Sequence, residues 1–170
     1  MDLHPFVRDI QDFPEPGVVF KDITPMFNDP KALNAAFEGL LDLVNGKPVD
    51  KVVGMESRGF FFAPMLANKL GAGFVPVRKK GKLPYTTLSE TYDLEYGTDV
   101  LEIHTDAIQK GEKVLIHDDV LATGGTASAV CRLVEKLGGE VVQCNFLIIL
   151  DFLNGKDKLK GQEIVSLLNY

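Results

Sequence analysis

One stretch decides the fold of this chain: Val114-Leu115-Ile116-His117-Asp118-Asp119-Val120-Leu121-Ala122-Thr123-Gly124-Gly125-Thr126. It begins with an apolar run, which predicts a buried strand, and two adjacent carboxylates stand at the carboxyl end of that run. A Thr-Gly-Gly-Thr turn follows and leads directly into a helical pattern. Because open parallel sheets bind ligands at the carboxyl ends of their strands, the stretch predicts a ligand site there.

The residue types of this stretch indicate what such a ligand would carry. A glycine turn at a helix N-terminus presents free backbone N–H groups to a phosphate, and no lysine follows the glycines as it would in a P-loop. The carboxylates of Asp118 and Asp119 would repel a phosphate, but they suit hydroxyl groups or a hydroxyl-bound metal ion. One phosphate with neighbouring hydroxyls describes a ribose 5-phosphate. A Gly-Gly turn alone would fit an ordinary strand–turn–helix junction equally well.

A second junction follows the same logic. Glu56-Ser57-Arg58-Gly59 comes after an apolar run that ends at Met55, and a helical pattern begins at Phe60. A helix N-terminus, a hydroxyl, an arginine and a glycine meet there, which predicts a second anion site at the same end of the sheet. Without the first junction, a capped helix with a surface arginine would explain these four residues as well.

Positive charge is concentrated in one segment, Arg78-Lys79-Lys80-Gly81-Lys82. The residues around it, about 79–97, contain a proline and no clear period, so they predict a mobile loop that could include a hairpin. Long loops in compact domains are usually functional. A solvated basic patch is the alternative, and the phosphate turn elsewhere in the chain favours a role in anion binding.

The composition is that of a globular enzyme domain. With 170 residues, 45% of them hydrophobic and 25% charged, the chain predicts a single domain over 1–170 with a full core. No apolar stretch approaches the roughly 20 residues that span a membrane. The first residues lack a basic segment followed by an apolar one, so we do not expect them to act as a signal peptide. The net charge of −6 argues against nucleic-acid binding. Cys131 and Cys144 have no metal-ligand neighbours, so we expect reduced thiols and a cytoplasmic location.

The rest of the sequence alternates between strand and helix patterns. This order predicts an α/β fold with an open, mostly parallel twisted sheet that helices flank on both faces. Asp29-Pro30 is typical of a helix start, and Gly46 of a helix end. The predicted helices are 30–46, 60–70 and 126–137, and the predicted strands are 51–55, 74–77, 99–104 (an exposed or edge strand), 114–118, 140–150 and 163–168.

Four segments then follow one another in an order that is typical of one family. They are Asp12-Phe13-Pro14-Glu15-Pro16-Gly17-Val18-Val19-Phe20-Lys21-Asp22-Ile23-Thr24-Pro25, Glu56-Ser57-Arg58-Gly59-Phe60 with the basic loop through Pro84, Tyr92-Asp93-Leu94-Glu95-Tyr96-Gly97, and the stretch from Val114 to Thr126. Through them the chain resembles the short bacterial adenine phosphoribosyltransferases of the type I phosphoribosyltransferase family over nearly its whole length. The resemblance implies an N-terminal hood over about 1–28 and the type I phosphoribosyltransferase fold.

The resemblance also implies a reaction: adenine and 5-phosphoribosyl 1-diphosphate (PRPP), with magnesium, give AMP and diphosphate. Asp118 and Asp119 would hold the ribose hydroxyls, directly or through Mg²⁺ and water, while the PRPP itself carries the metal ion. The expected 5-phosphate site is Ala122, Thr123, Gly124, Gly125 and Thr126. The expected diphosphate site is Ser57, Arg58, Arg78, Lys79 and Lys82.

The remaining roles that the resemblance implies concern the base and the assembly. Phe20 would stack on the purine, while backbone groups of Val19 and Lys21 would read the edge of adenine. Glu95 is the expected acid/base, and Arg58 the second expected catalytic residue. The resemblance further implies a homodimer and a non-proline cis or strained peptide within 56–58.

Two positions depart from the family pattern, and two other functions stay open. His117 stands where relatives usually have an aliphatic residue, and we expect a hydrogen-bonded strand residue without a catalytic role. Lys21 replaces a common arginine. The signature run would also fit a transferase for hypoxanthine, guanine, xanthine or orotate, although the hood favours adenine. A non-catalytic PRPP sensor is the other alternative, but the chain has no broad basic face for a nucleic-acid partner.

Overall fold

The computed structural model of the chain describes residues 1–93 and 97–170, without the side chain of Asp93. Its backbone forms two compact units, residues 1–39 and residues 40–170. Among the residues described, no helix combines the length and the apolar character that crossing a membrane requires.

The first unit is built around a two-stranded antiparallel hairpin. Strand β1 (Arg8–Gln11) pairs with β2 (Val19–Asp22), and a short helix α1 (Thr24–Asn28) follows. Helix α2 (Pro30–Asp42) begins in this unit. The segment predicted as a hood therefore contains two strands that the sequence patterns did not predict.

The start of helix α2 confirms the predicted cap. Asp29 Oδ1 accepts the backbone N–H groups of Lys31 at 2.8 Å and of Ala32 at 2.9 Å, which satisfies two of the free donors of the first turn. The predicted end is wrong by about one turn, because the helix stops at Asp42 and Val44 to Gly46 form a turn instead.

The second unit contains a seven-stranded sheet in the order β5-β6-β4-β3-β7-β8-β9. Five neighbouring strands, from β4 to β9 in that order, run parallel, and β6 and β5 are added antiparallel at one edge. This confirms the predicted mostly parallel α/β sheet. The strands are β3 (Lys51–Met55), β4 (Gly73–Lys79), β5 (Thr87–Asp93), β6 (Thr98–His104), β7 (Lys113–Leu121), β8 (Glu140–Ile149) and β9 (Ile164–Asn169).

Helices cover the two faces of this sheet. Helix α3 (Ala63–Leu70) packs on the face of Gly54, where an added Cβ would lie 2.8 Å from Ala63 Cβ. Helix α4 (Gly125–Lys136) buries Ala127, Val130 and Val134 in the core of the opposite face. The chain leaves β3 towards β4 over one face and leaves β7 towards β8 over the other. The gap between β3 and β7 is therefore a topological switch point, where open α/β sheets bind their ligands.

Several features differ from the sequence prediction, among them strand β5, which lies within the predicted loop of about 79–97 and forms a hairpin with β6. Strand β7 continues to Leu121, so Asp118 and Asp119 lie within the strand and not at its end, where the predicted strand 114–118 placed them. Strand β6 is not an edge strand, because β5 lies outside it. The predicted helix 60–70 is divided into a 3-10 turn at Arg58–Phe60 and helix α3, since Pro64 sits in the first turn of α3. The thiols of Cys131 and Cys144 are free and buried, as expected.

Candidate active site

The glycine turn lies at the carboxyl end of β7 and opens helix α4. Gly124 caps this helix with a φ of +78°, a conformation that glycine adopts without strain. The turn is backed by Gly155: a Cβ on Gly155 would lie 2.2 Å from the Ala122 carbonyl oxygen, and a Cβ on Gly124 would lie 2.2 Å from the Gly155 carbonyl oxygen. Neither position can therefore carry a side chain unless the turn moves.

The acid pair forms one wall of the site. The Asp119 backbone N–H donates to Asp118 Oδ1 at 2.9 Å, and Asp118 lines the space in front of the glycine turn. Burial, and then the neighbouring Asp119 carboxylate, raise the pKa of Asp118 well above its usual value. Burial also raises the pKa of Asp119, against the opposing charge of Arg58. Two carboxylates are thus held close together where they are costly to ionise.

Arg58 connects this acid pair to the second predicted junction. Arg58 Nε lies 2.8 Å from Asp119 Oδ2, although the geometry is that of an ion pair and not of an aligned hydrogen bond. The Glu56–Ser57 peptide bond is cis, as the family resemblance implies. Gly59 permits the close approach, because a Cβ there would lie 2.9 Å from Asp118 Oδ1. The two junctions therefore meet at the switch point.

Glu56 gathers the basic segment at this junction. Its nearly buried carboxylate accepts the Lys79 backbone N–H at 2.9 Å and a hydrogen bond from Lys82 Nζ, and Arg78 Nε lies 3.3 Å away. Burial acts to raise the pKa of Glu56, but the hydrogen bonds from Lys82, Lys79 and Arg78 outweigh it and lower the pKa. Glu56 therefore stays ionised and fixes the basic side chains at the carboxyl end of β3.

The Lys79 side chain of the basic segment has a partner on the neighbouring hairpin. Lys79 Nζ pairs with Asp99 Oδ2 at 3.0 Å, and the Tyr92 hydroxyl donates to the same oxygen at 3.3 Å. Lys79 and Tyr92 line a cleft of about 410 Å³ between the two junctions. The cleft is lined by Glu56, Ser57, Arg58, Lys79, Tyr92, Leu101, Asp118, Asp119, Val120, Ala122 and Thr126. Sequence reasoning gave no site role to Glu56, Tyr92, Asp99 or Gly155, because their contacts arise from strand pairing or join segments that are distant in the chain.

The residues expected to bind the base lie on the hairpin of the first unit. Phe20 packs edge-on against Phe13, with 5.1 Å between the ring centroids. Lys21 Nζ pairs with Asp9 Oδ1 at 2.7 Å, and Val19 is 38% exposed. The expected acid/base Glu95 lies outside the described residues.

His117 belongs to a buried polar network, as expected for a strand residue without a catalytic role. Its Nδ1 lies 3.2 Å from Asn145 Oδ1, and Asn145 Nδ2 donates to the Leu40 carbonyl oxygen at 3.0 Å. Its Nε2 has no hydrogen-bond partner among the residues that the structure describes. Burial lowers the pKa of His117 to about 4, because the imidazolium form would be cut off from water.

This network predicts a pH dependence of folding. The unfolded histidine takes up a proton near pH 6.5, whereas the folded one resists protonation down to about pH 4. Stability should therefore fall as the pH drops through this window, by about 2 kcal/mol between pH 6.5 and 4.5. His117→Val should remove that loss. Urea unfolding of the two proteins at both pH values measures it, and equal pH slopes would contradict the assignment.

The parallel sheet, the switch point and the glycine turn at a helix N-terminus define an open α/β protein that binds phosphorylated ligands at its strand ends. Comparison with known proteins identifies the family within this class. The family model described as "Phosphoribosyl transferase domain" matches residues 27–165. A curated adenine phosphoribosyltransferase of Christiangramia forsetii is 64% identical over 171 residues, which cover 100% of this chain and 99% of that protein.

Solved structures agree with the family match. The adenine phosphoribosyltransferase of Rhodothermus marinus has 56% identity and a TM-score of 0.95, covering 99% of this chain and 96% of that one. The enzyme of Saccharomyces cerevisiae, solved with an imino-altritol bisphosphate and adenine, has 43% identity and a TM-score of 0.89 over 96% and 95% of the two chains. The chain belongs to the type I phosphoribosyltransferases and, among them, to the adenine phosphoribosyltransferase family.

Proposed function

We propose that this protein transfers the 5-phosphoribosyl group of PRPP to adenine and releases AMP and diphosphate, a purine-salvage reaction. One observation carries the proposal: a glycine turn at a helix N-terminus and a junction with clustered basic side chains flank an acid pair at the switch point between β3 and β7. PRPP has the matching order of groups, with a 5-phosphate, ribose hydroxyls and a 1-diphosphate. The family membership agrees with this order of subsites.

The turn at the start of α4 would take the 5-phosphate. Residues Ala122 to Thr126 line a space at the N-terminus of α4, where free backbone N–H groups and the helix dipole favour an anion. Asp118 and Asp119 would then accept hydrogen bonds from the ribose hydroxyls. An ionised carboxylate is a stronger hydrogen-bond acceptor than a neutral oxygen, so these two side chains would hold the ribose in one orientation.

The basic residues would take the diphosphate by exchanging their present partners. Arg58, Arg78, Lys79 and Lys82 are all paired with carboxylates of Asp119, Glu56 or Asp99. An arriving diphosphate offers these cations more negative charge than a single carboxylate does. When Arg58 turns to the diphosphate, Asp119 is released to bind a ribose hydroxyl. Ser57 lines the same part of the cleft and would donate its hydroxyl to the diphosphate.

The chemical step is a displacement at the anomeric carbon. The bond from that carbon to the diphosphate oxygen breaks, the bond to the adenine ring nitrogen forms, and the sugar passes through an oxocarbenium-like state. Positive charge around the leaving diphosphate stabilises the charge that develops on it, which is the role we propose for Arg58. The adenine ring proton leaves as the bond forms, and Glu95 is the acid/base that we propose accepts this proton.

Mg²⁺ would enter with PRPP. Among residues 1–93 and 97–170, no group of three or more His, Cys, Asp or Glu side chains could hold a metal ion. Mg²⁺ keeps several waters and is commonly bound through substrate phosphates with one or two carboxylates, so Asp118 and Asp119 fit it as partners through water. When bound, it would neutralise charge on the departing diphosphate.

The hairpin of the first unit would select the base. Phe20 offers a ring for stacking, which accepts any purine, so backbone groups of Val19 and Lys21 must discriminate adenine. The Lys21 side chain is engaged by Asp9, which leaves the backbone as the reading element. The yeast relative, whose solved structure contains adenine, supports this choice of base.

Assembly, location and loop movement follow the family resemblance. We propose a homodimer, a cytoplasmic protein that keeps Cys131 and Cys144 reduced, and a segment of about 79–97 that moves during the reaction. No nucleic acid or membrane partner is proposed.

Product analysis tests the proposed function. The protein is incubated with PRPP and Mg²⁺ and, in separate reactions, with adenine, hypoxanthine, guanine or orotate. We expect AMP from adenine and no nucleotide from the others. A nucleotide from another base instead would overturn the proposed role of the hairpin, and PRPP binding without any product would favour the sensor.

A further inference from the structure

Tyr92 occupies a position between the two phosphate subsites that the reaction does not explain. Its side chain is 7% exposed and lines the cleft, and its hydroxyl donates to Asp99 Oδ2. The Thr126 side chain lines the same cleft. Burial raises the pKa of the Tyr92 hydroxyl, and the Thr126 side chain opposes this shift. A tyrosine hydroxyl has one proton, and Asp99 receives it, so towards Thr126 the Tyr92 oxygen can act only as an acceptor. Tyr92 thus stands between Thr126 and Asp99, which pairs with Lys79.

The hairpin of β5 and β6 connects Tyr92 both to the basic segment and to helix α4. Strand β6 holds the basic segment, since the Lys80 N–H donates to the Val100 carbonyl at 3.1 Å and the Gly81 N–H donates to Glu102 Oε2 at 2.9 Å. Strand β5 contacts helix α4, where Glu90 Oε1 accepts from Arg132 Nε at 2.6 Å. That anchor lies away from the turn, whereas Tyr92 reaches Thr126 in the turn itself.

We propose that Tyr92 is a positioning residue that couples the 5-phosphate turn to the diphosphate subsite, an inference that rests on the proposed function. A bound 5-phosphate holds Thr126 in place, and Thr126 then fixes Tyr92 and the end of the hairpin. The hairpin in turn holds Asp99 and the basic segment. A diphosphate that arrives second meets an ordered subsite, so it binds more tightly than it would alone.

The test measures this coupling by calorimetry. The dissociation constant of Mg²⁺-diphosphate is determined with and without saturating ribose 5-phosphate, in the unchanged protein and in Tyr92→Phe. Repulsion between the two anions is the same in both, because the substitution changes no charge. The dissociation constant without ribose 5-phosphate, divided by the constant with it, measures the coupling. We expect this ratio to be about three- to tenfold larger in the unchanged protein than in Tyr92→Phe, which is the range of one hydrogen bond.

Three further variants sharpen the result. Asp99→Asn should reduce the coupling like Tyr92→Phe, and the double variant should lose no more than either one, because the residues act in one chain. Tyr85→Phe is the matched control, since Tyr85 is 62% exposed with its ring beside His104, and its coupling should equal that of the unchanged protein. Thermal unfolding checks that all variants are folded.

The outcomes separate the inference from the function on which it rests. If both ligands bind and the coupling is the same, or more favourable, in Tyr92→Phe, the positioning role is wrong and the proposed function stands. If the losses in Tyr92→Phe and Asp99→Asn add up in the double variant, the two residues do not act in one chain and the inference also fails. If the unchanged protein binds neither ligand, the proposed function fails with it.

Discussion

Replacing Asp118 with asparagine is expected to lower kcat/KM for PRPP by about 10- to 100-fold, the cost of one hydrogen bond to a charged group. The carboxylate of Asp118 would accept a ribose hydroxyl, and an amide oxygen is a weaker acceptor. The Asp119 N–H lies 2.9 Å from Asp118 Oδ1, and the amide oxygen of the substituted side chain would keep this bond, so the backbone of β7 should be undisturbed.

The same substitution is expected to stabilise the fold. The pKa of Asp118 is raised by burial and by the neighbouring Asp119, so the folded protein pays for its ionisation at neutral pH. The folded state binds the proton more tightly than the unfolded chain, so stability falls as the pH rises above the unfolded pKa. Removing the charge should raise Tm at pH 7 by about 2–4 °C. Scanning calorimetry and initial rates together test this, and a lower Tm would contradict the charge argument.

The second large effect is expected from Gly155→Ala. The added Cβ would lie 2.2 Å from the Ala122 carbonyl oxygen and 3.0 Å from the Gly124 nitrogen, and these are backbone atoms that cannot rotate away. The phosphate turn must therefore shift. Because we propose that the turn binds the 5-phosphate through backbone N–H groups, we expect affinity for ribose 5-phosphate to fall roughly 10- to 100-fold.

Two comparisons make this prediction specific. Affinity for Mg²⁺-diphosphate should change little, because the site proposed for that ligand lies at Arg58 and the basic segment. Gly73→Ala is the control, since its Cβ would approach only the flexible Lys51 side chain, at 3.1 Å. Calorimetric titration of both variants with ribose 5-phosphate and with Mg²⁺-diphosphate measures these affinities. An unchanged ribose 5-phosphate affinity in Gly155→Ala would show that the turn is not the phosphate site.

The contributions of sequence and structure can be separated at particular residues. The parallel strands were predictable because buried strands contain short runs of apolar residues, such as Val52-Val53 and Val114-Leu115-Ile116. The turn at Gly124 was predictable because two adjacent glycines between a strand pattern and a helix pattern are typical of a tight turn. The extension of β7 to Leu121 was not, because Asp118 and Asp119 interrupt the apolar run although both stay in the strand.

What sequence reasoning missed depends on contacts between distant segments. Gly155 lies thirty-one positions after Gly124, and nothing in its neighbours indicates that two backbones meet there. Glu56 was noted within its junction, but its contacts with Arg78, Lys79 and Lys82 require the register of β3 against β4. Tyr92 and Asp99 become partners only because β5 and β6 pair. Local sequence patterns cannot predict such contacts before the order and register of the strands are known.

The most direct test of the account is the stoichiometry of the reaction. The protein is mixed with PRPP, Mg²⁺ and adenine, and AMP and diphosphate are measured over time, with a parallel reaction without adenine. The account predicts one AMP for each diphosphate, and almost no diphosphate when adenine is left out. Diphosphate release without a matching amount of AMP, or at the same rate without adenine, would contradict it.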